Sequence, residues 1–434
     1  MDKLLDDGVA ELRPPRSRLR IVCLLAALAG LSLLAYWRSL SLPLIADDYL
    51  QIQLGRDYGP VASWPALAAD PLYRSRATSI LITYWTELAF GLSTLAFNLT
   101  GFLIHVLNTW LIFAAGAWRR IGWRAAFVAA AFFAVYEGHQ EAVIWYAALP
   151  ELLVFFFSIS ALILWILWLK HRHSLIYIAA TGAFLLALLS KESAVAIVPL
   201  LALATWVETR SGSWLPHWIP FALLATADAA AIFMGHGGNQ HFQDGTFSLH
   251  APFWKVWIFS LGRLFWFVGF AAVAAILSWK QFHRRWRMIA PALAWTAITL
   301  LPYCFLTYMP RVPSRHTYFA SAGLSLIVAA GFLGLQERCW LRRTWLPPAI
   351  AATLILGNCT YLWTRKYAQF AARAQPTEHV IRSARDAQGP VHVQCFPYHF
   401  SNAQLAVEIA AGKPASILVE DADPCPIGAA TTTR

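Results

Sequence analysis

Two adjacent acids, Asp47 and Asp48, are the residues of this chain most suggestive of chemistry. They follow the first long apolar segment, in the run Leu44-Ile45-Ala46-Asp47-Asp48-Tyr49. Carboxylates at a membrane boundary are costly unless they face water or cations. One of the pair could be a general base that takes the proton of an attacking hydroxyl. The alternative is a structural role, since Asp is common at helix N-caps, and the residues alone do not separate the two.

Cations accompany acids in later polar segments. Lys191 and Glu192 interrupt two apolar runs, and a Lys there could bind a phosphate as a point charge. Taken alone, the pair is better explained as a snorkelling Lys beside its Glu partner. Arg74, Arg315 and His316 are the cations that an anionic lipid headgroup would need on the outer face, although each of them alone is typical loop charge.

A third group stands at the end of another apolar segment, in the run from Gly138 to Trp145. His139 and Glu141 could bind a divalent cation or sugar hydroxyls. Trp145 could stack on a sugar or anchor its helix at the membrane interface, and anchoring is the better explanation when Trp145 is taken alone.

The elements that must position these residues are indicated by composition. Apolar residues make up 58% of the 434 residues and charged residues only 13%, whereas about a quarter of a globular domain is charged. Repeated apolar runs of about 17–22 residues are typical of an all-α polytopic membrane protein. The net charge of +11 lies in short segments between these runs. This is the positive-inside pattern, and it argues against a nucleic-acid partner.

The apolar runs predict about eleven transmembrane helices within a membrane domain of residues 21–363. Basic residues concentrate on the side of the N-terminal tail, residues 1–20, which predicts a cytoplasmic N-terminus and an outward C-terminus. The first outer loop would cover residues 38–97, with residues 79–95 as a helix at the interface rather than a further span. The predicted spans are residues 21–37, 98–117, 125–138, 151–169, 175–189, 193–208, 216–234, 255–278, 288–308, 318–335 and 346–363.

Residues 364–434 are polar and predict a small α/β tail outside the cytoplasm. Helical and strand-like patterns alternate along it, at residues 367–387, 391–395, 402–411 and 416–419. About 70 residues is a marginal size for an independently stable unit. A disulfide between Cys395 and Cys425 would therefore be useful in an oxidising compartment.

Short motifs follow one another in a distinctive order along residues 40–330. They are Asp47-Asp48, Tyr73-Arg74, Asn98 with His105 and Asn108, His139-Gln140-Glu141-Ala142-Val143 with Trp145 and Glu151, Ser190-Lys191-Glu192-Ser193-Ala194 with Pro199, and Arg315-His316-Thr317-Tyr318 with Gly323. This series resembles the GT-C class of polytopic glycosyltransferases, which use polyprenyl-phosphate sugars. The likeness is closest to the transmembrane-and-tetratricopeptide-repeat O-mannosyltransferases and their bacterial relatives.

The resemblance implies a GT-C-like fold. It also implies inverting transfer of a sugar, mannose in that family, from a polyprenyl-phosphate donor to a hydroxyl of a protein or glycan acceptor. Asp47 or Asp48 would be the base, with the first acid preferred. The lipid phosphate would be held by Lys191, Arg74, Arg315 and His316, and the sugar or acceptor would contact Tyr73, His139, Glu141, Trp145 and Glu192. This chemistry requires no cofactor and is compatible with a divalent cation.

Some residues depart from the family pattern. Ser75 stands in place of its proline, Leu149 in place of a frequent Arg, and no tetratricopeptide repeats follow the last apolar run. These departures leave the sugar and the acceptor open. The short compact tail favours a bacterial inner-membrane protein with a periplasmic C-terminus.

Two other functions fit some of the same residues. A transporter or lipid flippase would also place charges near a cavity, but it predicts internal repeats and broken helices at mid-membrane, and no repeat is visible in the sequence. A non-catalytic scaffold derived from such an enzyme would bind a partner through its tail. The intact Asp47-Asp48 and Lys191-Glu192 pairs weigh against a scaffold.

Overall fold

The computed structural model describes residues 17–209, 214–238, 240–243, 245–277, 282–306, 313–339, 345–420 and 432–433. Helices dominate this part of the chain, and each of the eleven predicted spans corresponds to one. These long helices are α1 (Arg18–Tyr36), α5 (Thr94–Ala114), α6 (Trp123–Val135), α8 (Leu149–His171), α9 (Ser174–Leu188), α10 (Ile197–Thr209), α11 (Leu215–Met234), α13 (Phe253–Leu277), α14 (Phe282–Leu300), α16 (Ser321–Cys339) and α17 (Leu346–Tyr361).

Shorter helices lie between the long ones. They are α2 (Ala46–Tyr58), α3 (Trp64–Ala69), α4 (Ala77–Phe90), α7 (Gln140–Ile144), α12 (Gln240–Gln243) and α15 (Ser314–Thr317). Within the described residues, seven helical segments are suited by length and composition to crossing a membrane; they contain α1, α5, α8, α10, α11, α13 and α14. Three shorter helices, α6, α9 and α16, are also apolar. The prediction of an all-α polytopic membrane protein is confirmed.

Helix α8 illustrates how the sequence sets the bounds of a long helix. Pro150 stands in its first turn, where a missing N–H costs nothing. The acidic Glu151 lies in the first turn and the basic Lys170 in the last, the arrangement that complements the helix dipole. The helix ends at Arg172, whose backbone is left-handed with a φ of 55°.

The predicted first outer loop is folded rather than open. Helices α2 and α4 pack against each other, and Gln51 Nε2 donates to the Ser79 and Thr83 hydroxyls at 3.3 and 3.2 Å. Arg56 and Glu87 form an ion pair at 2.6 Å between the same two helices. Helix α4 covers most of the segment predicted as an interfacial helix, and its position relative to a membrane stays a prediction.

The core of the bundle forms around α16, which packs against α6, α13 and α14. Its approach to α14 is so close that a Cβ at Gly323 would lie 2.1 Å from Thr296 Oγ1. Next to α16, the buried Tyr318 hydroxyl meets His105 Nδ1 at 2.9 Å and Asn108 Nδ2 at 3.1 Å. His105 and Asn108, which belong to one of the motifs in the sequence, therefore connect α5 to the segment just before α16 in the core.

The C-terminal tail is a small α/β unit. Helix α18 (Tyr367–Asp386) continues α17 through a wider turn, and strand β1 (Val391–Cys395), helix α19 (Phe400–Ala406), β2 (Leu418–Glu420) and β3 (Thr432–Thr433) follow. The sheet order is β2-β1-β3, with β1 parallel to β2 and antiparallel to β3. Cys395 is disulfide-bonded; Cys425, its predicted partner, lies outside the described residues.

Candidate functional site

One cavity of about 930 Å³ collects residues from all five predicted outer loops. Seven of the predicted site residues line it: Asp47, Tyr73, Trp145, Lys191, Glu192, Arg315 and His316. The rest of its wall is largely apolar, with Leu50, Leu54, Pro199, Ile232, Phe233, Phe242, Leu249, Leu301 and Leu306 among the lining residues. The cavity therefore offers charged groups beside a surface suited to a hydrocarbon chain.

The two adjacent acids have different environments. Asp48 is 2% exposed, and its two carboxylate oxygens accept the backbone N–H groups of Ile45 and Ala147, each at 2.7 Å. Asp48 thus caps α2 and ties it to the turn before α8. Asp47 lines the cavity instead, and its Oδ1 accepts a hydrogen bond from Asn402 Nδ2 at 2.6 Å.

Burial acts on both acids. It raises the pKa of Asp48 to about 7, against the opposing effect of the backbone N–H donors of Ile45 and Ala147. Burial also raises the pKa of Asp47, while the charges of Arg315 and Arg373 and the hydrogen bond from Asn402 oppose that rise. Asp47 is the acid of the pair that combines exposure to the cavity with neighbouring cations.

A buried network fixes Lys191 at the cavity wall. The Lys191 ammonium donates to Glu151, which is 1% exposed at the start of α8. The same carboxylate contacts His316 Nδ1 and accepts a hydrogen bond from the Tyr303 hydroxyl at 2.7 Å. The Tyr303 hydroxyl also reaches Ser193 Oγ at 2.8 Å. Glu151 thereby orients both Lys191 and His316, because a carboxylate can accept several hydrogen bonds at once.

His316 is neutral in this network. Burial and the adjacent Lys191 charge lower the pKa of His316 to about 3, although Glu151 opposes the shift. Because the Glu151 carboxylate only accepts hydrogen bonds, Nδ1 of His316 must be the protonated nitrogen and Nε2 the acceptor. His316 therefore adds no positive charge to the cavity.

The two arginines near the start of α4 point to different places. Arg76 lines the cavity and forms an ion pair with Glu192 at 2.7 Å. Arg74, which the sequence favoured as a phosphate ligand, lines a separate pocket of about 480 Å³ beside Gly235 and Gly238. Arg76 is therefore the arginine of this segment that the structure brings to the cavity.

Two guanidinium groups approach the indole ring of Trp145. Arg315 lies 5.0 Å and Arg373 4.8 Å from the ring centroid, within the range of a cation–π contact. Glu141 does not line the cavity; its Oε2 accepts the backbone N–H of Arg315 at 3.1 Å. Glu141 thus helps to hold Arg315 in place.

His139 is a core residue. It is fully buried, its Nε2 lies 2.7 Å from Ser321 Oγ, and its ring packs against Phe133 and Tyr318. The structure does not bring it together with the cavity residues. Among the described residues, no cluster of three or more His, Cys, Asp and Glu side chains is suited to a metal ion.

Several residues that line the cavity or contact its lining were not foreseen from the sequence. Arg76 stands two residues after Arg74, and the resemblance of Tyr73-Arg74 to the family motif favoured Arg74 instead. Tyr303 occurs at the end of an apolar run without any motif around it. Asn402 and Arg373 belong to the tail, whose contact with the site depends on tertiary packing that no local motif encodes.

No protein-family model matches the sequence, and no curated protein matches it either. Solved structures of similar fold exist. The apo oligosaccharyltransferase of Archaeoglobus fulgidus gives a TM-score of 0.53 at 14% identity, covering 85% of this chain and 58% of that one. AglB of the same organism, in complex with an inhibitory peptide and a dolichol-phosphate, gives 0.52 at 13% identity, covering 92% and 64%. This chain thus spans less than two thirds of the archaeal enzymes.

ArnT from Cupriavidus metallidurans is similar over more of its own length. The structure bound to undecaprenyl phosphate gives a TM-score of 0.51 at 12% identity, covering 94% of this chain and 87% of that one. AglB and ArnT are both GT-C glycosyltransferases, so the fold of this chain is GT-C-like. Identities this low show the fold alone, and they do not single out the O-mannosyltransferases among the GT-C enzymes.

Proposed function

We propose that this chain is a membrane glycosyltransferase that moves a sugar from a polyprenyl-phosphate donor to an acceptor hydroxyl. The observation that carries the proposal is the composition of the cavity. A carboxylate, Asp47, and three cations, Arg76, Lys191 and Arg315, face one space that continues into an apolar wall. A lipid-linked sugar phosphate has the matching parts: a sugar, an anionic phosphate and a hydrocarbon chain.

The proposed reaction assigns Asp47 as the general base. The acceptor oxygen forms a bond to the anomeric carbon of the sugar while its proton passes to Asp47. The bond between that carbon and the phosphate oxygen breaks, and its electron pair leaves with the phosphate. Attack on the face opposite the leaving phosphate inverts the configuration. Because a phosphate leaves readily, the reaction needs no strong acid on the protein.

We assign Lys191, Arg76 and Arg315 to the phosphate. Each of them has a carboxylate neighbour that fixes its position before the donor binds, namely Glu151, Glu192 and Glu141. Fixed cations stabilise the charge that grows on the leaving phosphate without having to reorganise. The neutral His316 cannot supply charge, so it contributes orientation rather than attraction.

The comparisons support a lipid-phosphate donor at a coarse level. AglB has been solved with a dolichol-phosphate and ArnT with undecaprenyl phosphate, and the apolar wall of the cavity suits either kind of chain. Mannose as the sugar and a protein or glycan as the acceptor remain proposals that stand on the motif resemblance. The bacterial inner membrane is a proposal that stands on the short compact tail. The cytoplasmic N-terminus and the periplasmic C-terminus are proposals that stand on the distribution of basic residues. A divalent cation could accompany the phosphate, and the proposed step does not require one.

Purified protein in nanodiscs tests the proposal directly. It would be given a panel of polyprenyl-phosphate sugars, including the mannose form, together with cell-envelope acceptors, and transfer or donor hydrolysis would be measured. We expect turnover by the wild type and a loss of a hundredfold or more in Asp47→Asn. Asp57→Asn is the matched control, because Asp57 is exposed on the same helix. If the wild type turns over no donor but, in sealed liposomes, moves one between membrane leaflets, the chain is a transporter.

A further inference from the structure

The C-terminal tail contacts a cavity-lining residue, Asp47, through one amide side chain. Asn402, in the first turn of α19, is 7% exposed, and its Nδ2 donates to Asp47 Oδ1 at 2.6 Å. This contact joins positions 355 residues apart in the sequence. Helix α19 packs along α2, the helix that carries Asp47. The tail therefore contacts the N-terminal turn of α2, which carries Asp47.

Other contacts fix the position of the tail at this point. The Asn402 backbone N–H donates to the His399 carbonyl at 2.9 Å, in the turn that begins α19. The Tyr398 hydroxyl donates to the Arg373 carbonyl at 2.6 Å, which joins this turn to α18. The Arg373 guanidinium in turn lies over the Trp145 ring at the cavity wall. The hydrogen bonds of residues 398–402 thus hold the Asn402 amide in position next to Asp47.

We propose that Asn402 is a positioning residue for Asp47, holding one carboxylate oxygen so that the other is directed to the acceptor hydroxyl. The proposal rests on the proposed function, in which Asp47 is the base. In the described part of the chain, no hydrogen bond reaches Asp47 Oδ2, and Asp47 itself lines the cavity. An amide N–H can donate to a carboxylate but cannot accept a proton from a substrate, so Asn402 does not compete with Asp47 as a base.

The charged and titratable groups that face Asp47 come from three places. Asp48 is its neighbour on α2, Arg315 comes from the last predicted outer loop, and Arg373 and Tyr398 come from the tail. All four remain when Asn402 is replaced. A donor to a carboxylate favours its ionised form. Removing the Asn402 amide therefore raises the pH at which Asp47 becomes able to accept a proton.

The pH dependence of sugar transfer tests the assignment. In Asn402→Ala we expect the acid limb of the kcat/KM profile to move up by about one pH unit, which is about a tenfold loss of rate below the limb. Asn402→Asp places a second carboxylate beside Asp47 and should move the limb further in the same direction. Gln404→Ala removes an amide from the same helix, two residues after Asn402 and about 200° around the helix axis from it, and should leave the profile unchanged. Equal loss at every pH in Asn402→Ala would indicate a purely structural role and overturn the proposal.

A second measurement does not depend on turnover. Thermal unfolding of Asp47→Ala, Asn402→Ala and the double variant in nanodiscs gives the coupling between the two side chains. We expect the double variant to be more stable than the sum of the single effects predicts. Additive effects would show that the contact is absent in the membrane and would overturn the proposal, whatever the enzyme does. An inactive wild type, or an active Asp47→Asn, would instead refute the proposed function.

Discussion

Replacing Asp48 by Asn should distinguish the roles of the two acids, because the contacts of Asp48 in the structure indicate that it stabilises the fold. Its carboxylate accepts two backbone N–H groups and is buried. An Asn can accept only one of these hydrogen bonds, and its NH₂ group then faces the second N–H. The unmatched buried donor costs about 1–3 kcal/mol of the free energy of unfolding. The carboxylate of Asp47, the proposed base, is untouched by this change.

The sign of the pH dependence follows from the raised pKa. The folded protein holds the Asp48 proton up to a pKa of about 7, whereas an unfolded chain loses it near the ordinary Asp pKa of 3.8. The wild type is therefore most stable, with respect to this group, at low pH and becomes less stable as the pH rises from about 4 to 7. Three pKa units correspond to about 4 kcal/mol in full, of which roughly 2–3 kcal/mol develops between pH 5 and pH 8.

Asp48→Asn has no group to titrate at this position, so its free energy of unfolding should lack the decrease with pH that Asp48 causes in the wild type. Equilibrium unfolding in mixed micelles at pH 5 and pH 8 measures this difference. We expect the stability deficit of Asp48→Asn relative to the wild type to shrink by roughly 2–3 kcal/mol between the two pH values, while transfer per folded molecule stays within a few-fold. A stable Asp48→Asn protein that has lost a hundredfold or more of its transfer rate would refute the assignment of Asp48 as structural.

Other substitutions give further tests. Arg76→Met should raise the KM for the lipid donor about tenfold, as expected for the loss of a charge-assisted contact of about 1.4 kcal/mol; Arg74→Met should leave it unchanged, and the reverse order would contradict the geometry. Tyr303→Phe removes a donor to the buried Glu151 and should lower the unfolding temperature, at a cost of about 1.5–3 kcal/mol; an unchanged temperature would count against the network. Cys395→Ser should destabilise the tail by about 2–4 kcal/mol, seen as faster proteolysis of the tail under non-reducing conditions, whereas an equal rate would exclude a stabilising disulfide.

The helices of this protein were predictable because each depends on local composition. Apolar runs between basic segments located all the long helices, and alternation of polar and apolar residues located α18, β1, α19 and β2 in the tail. The convergence of residues from the predicted outer loops was also expected, since loops that share a predicted membrane face would lie near one another. Seven of the predicted residues line the cavity for this reason.

What the sequence did not provide were the contacts that assign roles within each motif. Asp47 and Asp48 are equivalent in the sequence, and only the backbone donors of Ile45 and Ala147 distinguish them. His139 belongs to a motif that resembles a site, yet its side chain fills the core. Asn402 lies 355 residues from its partner, a distance at which no periodicity or spacing carries information.

The most direct test of the account is the transfer rate of Asp47→Asn at saturating donor, measured together with donor affinity in the same nanodiscs. The account predicts that affinity stays close to that of the wild type while the rate falls on the order of 10²–10⁴-fold, the usual contribution of a general base. An Asp47→Asn protein that transfers sugar within a few-fold of the wild-type rate would contradict it.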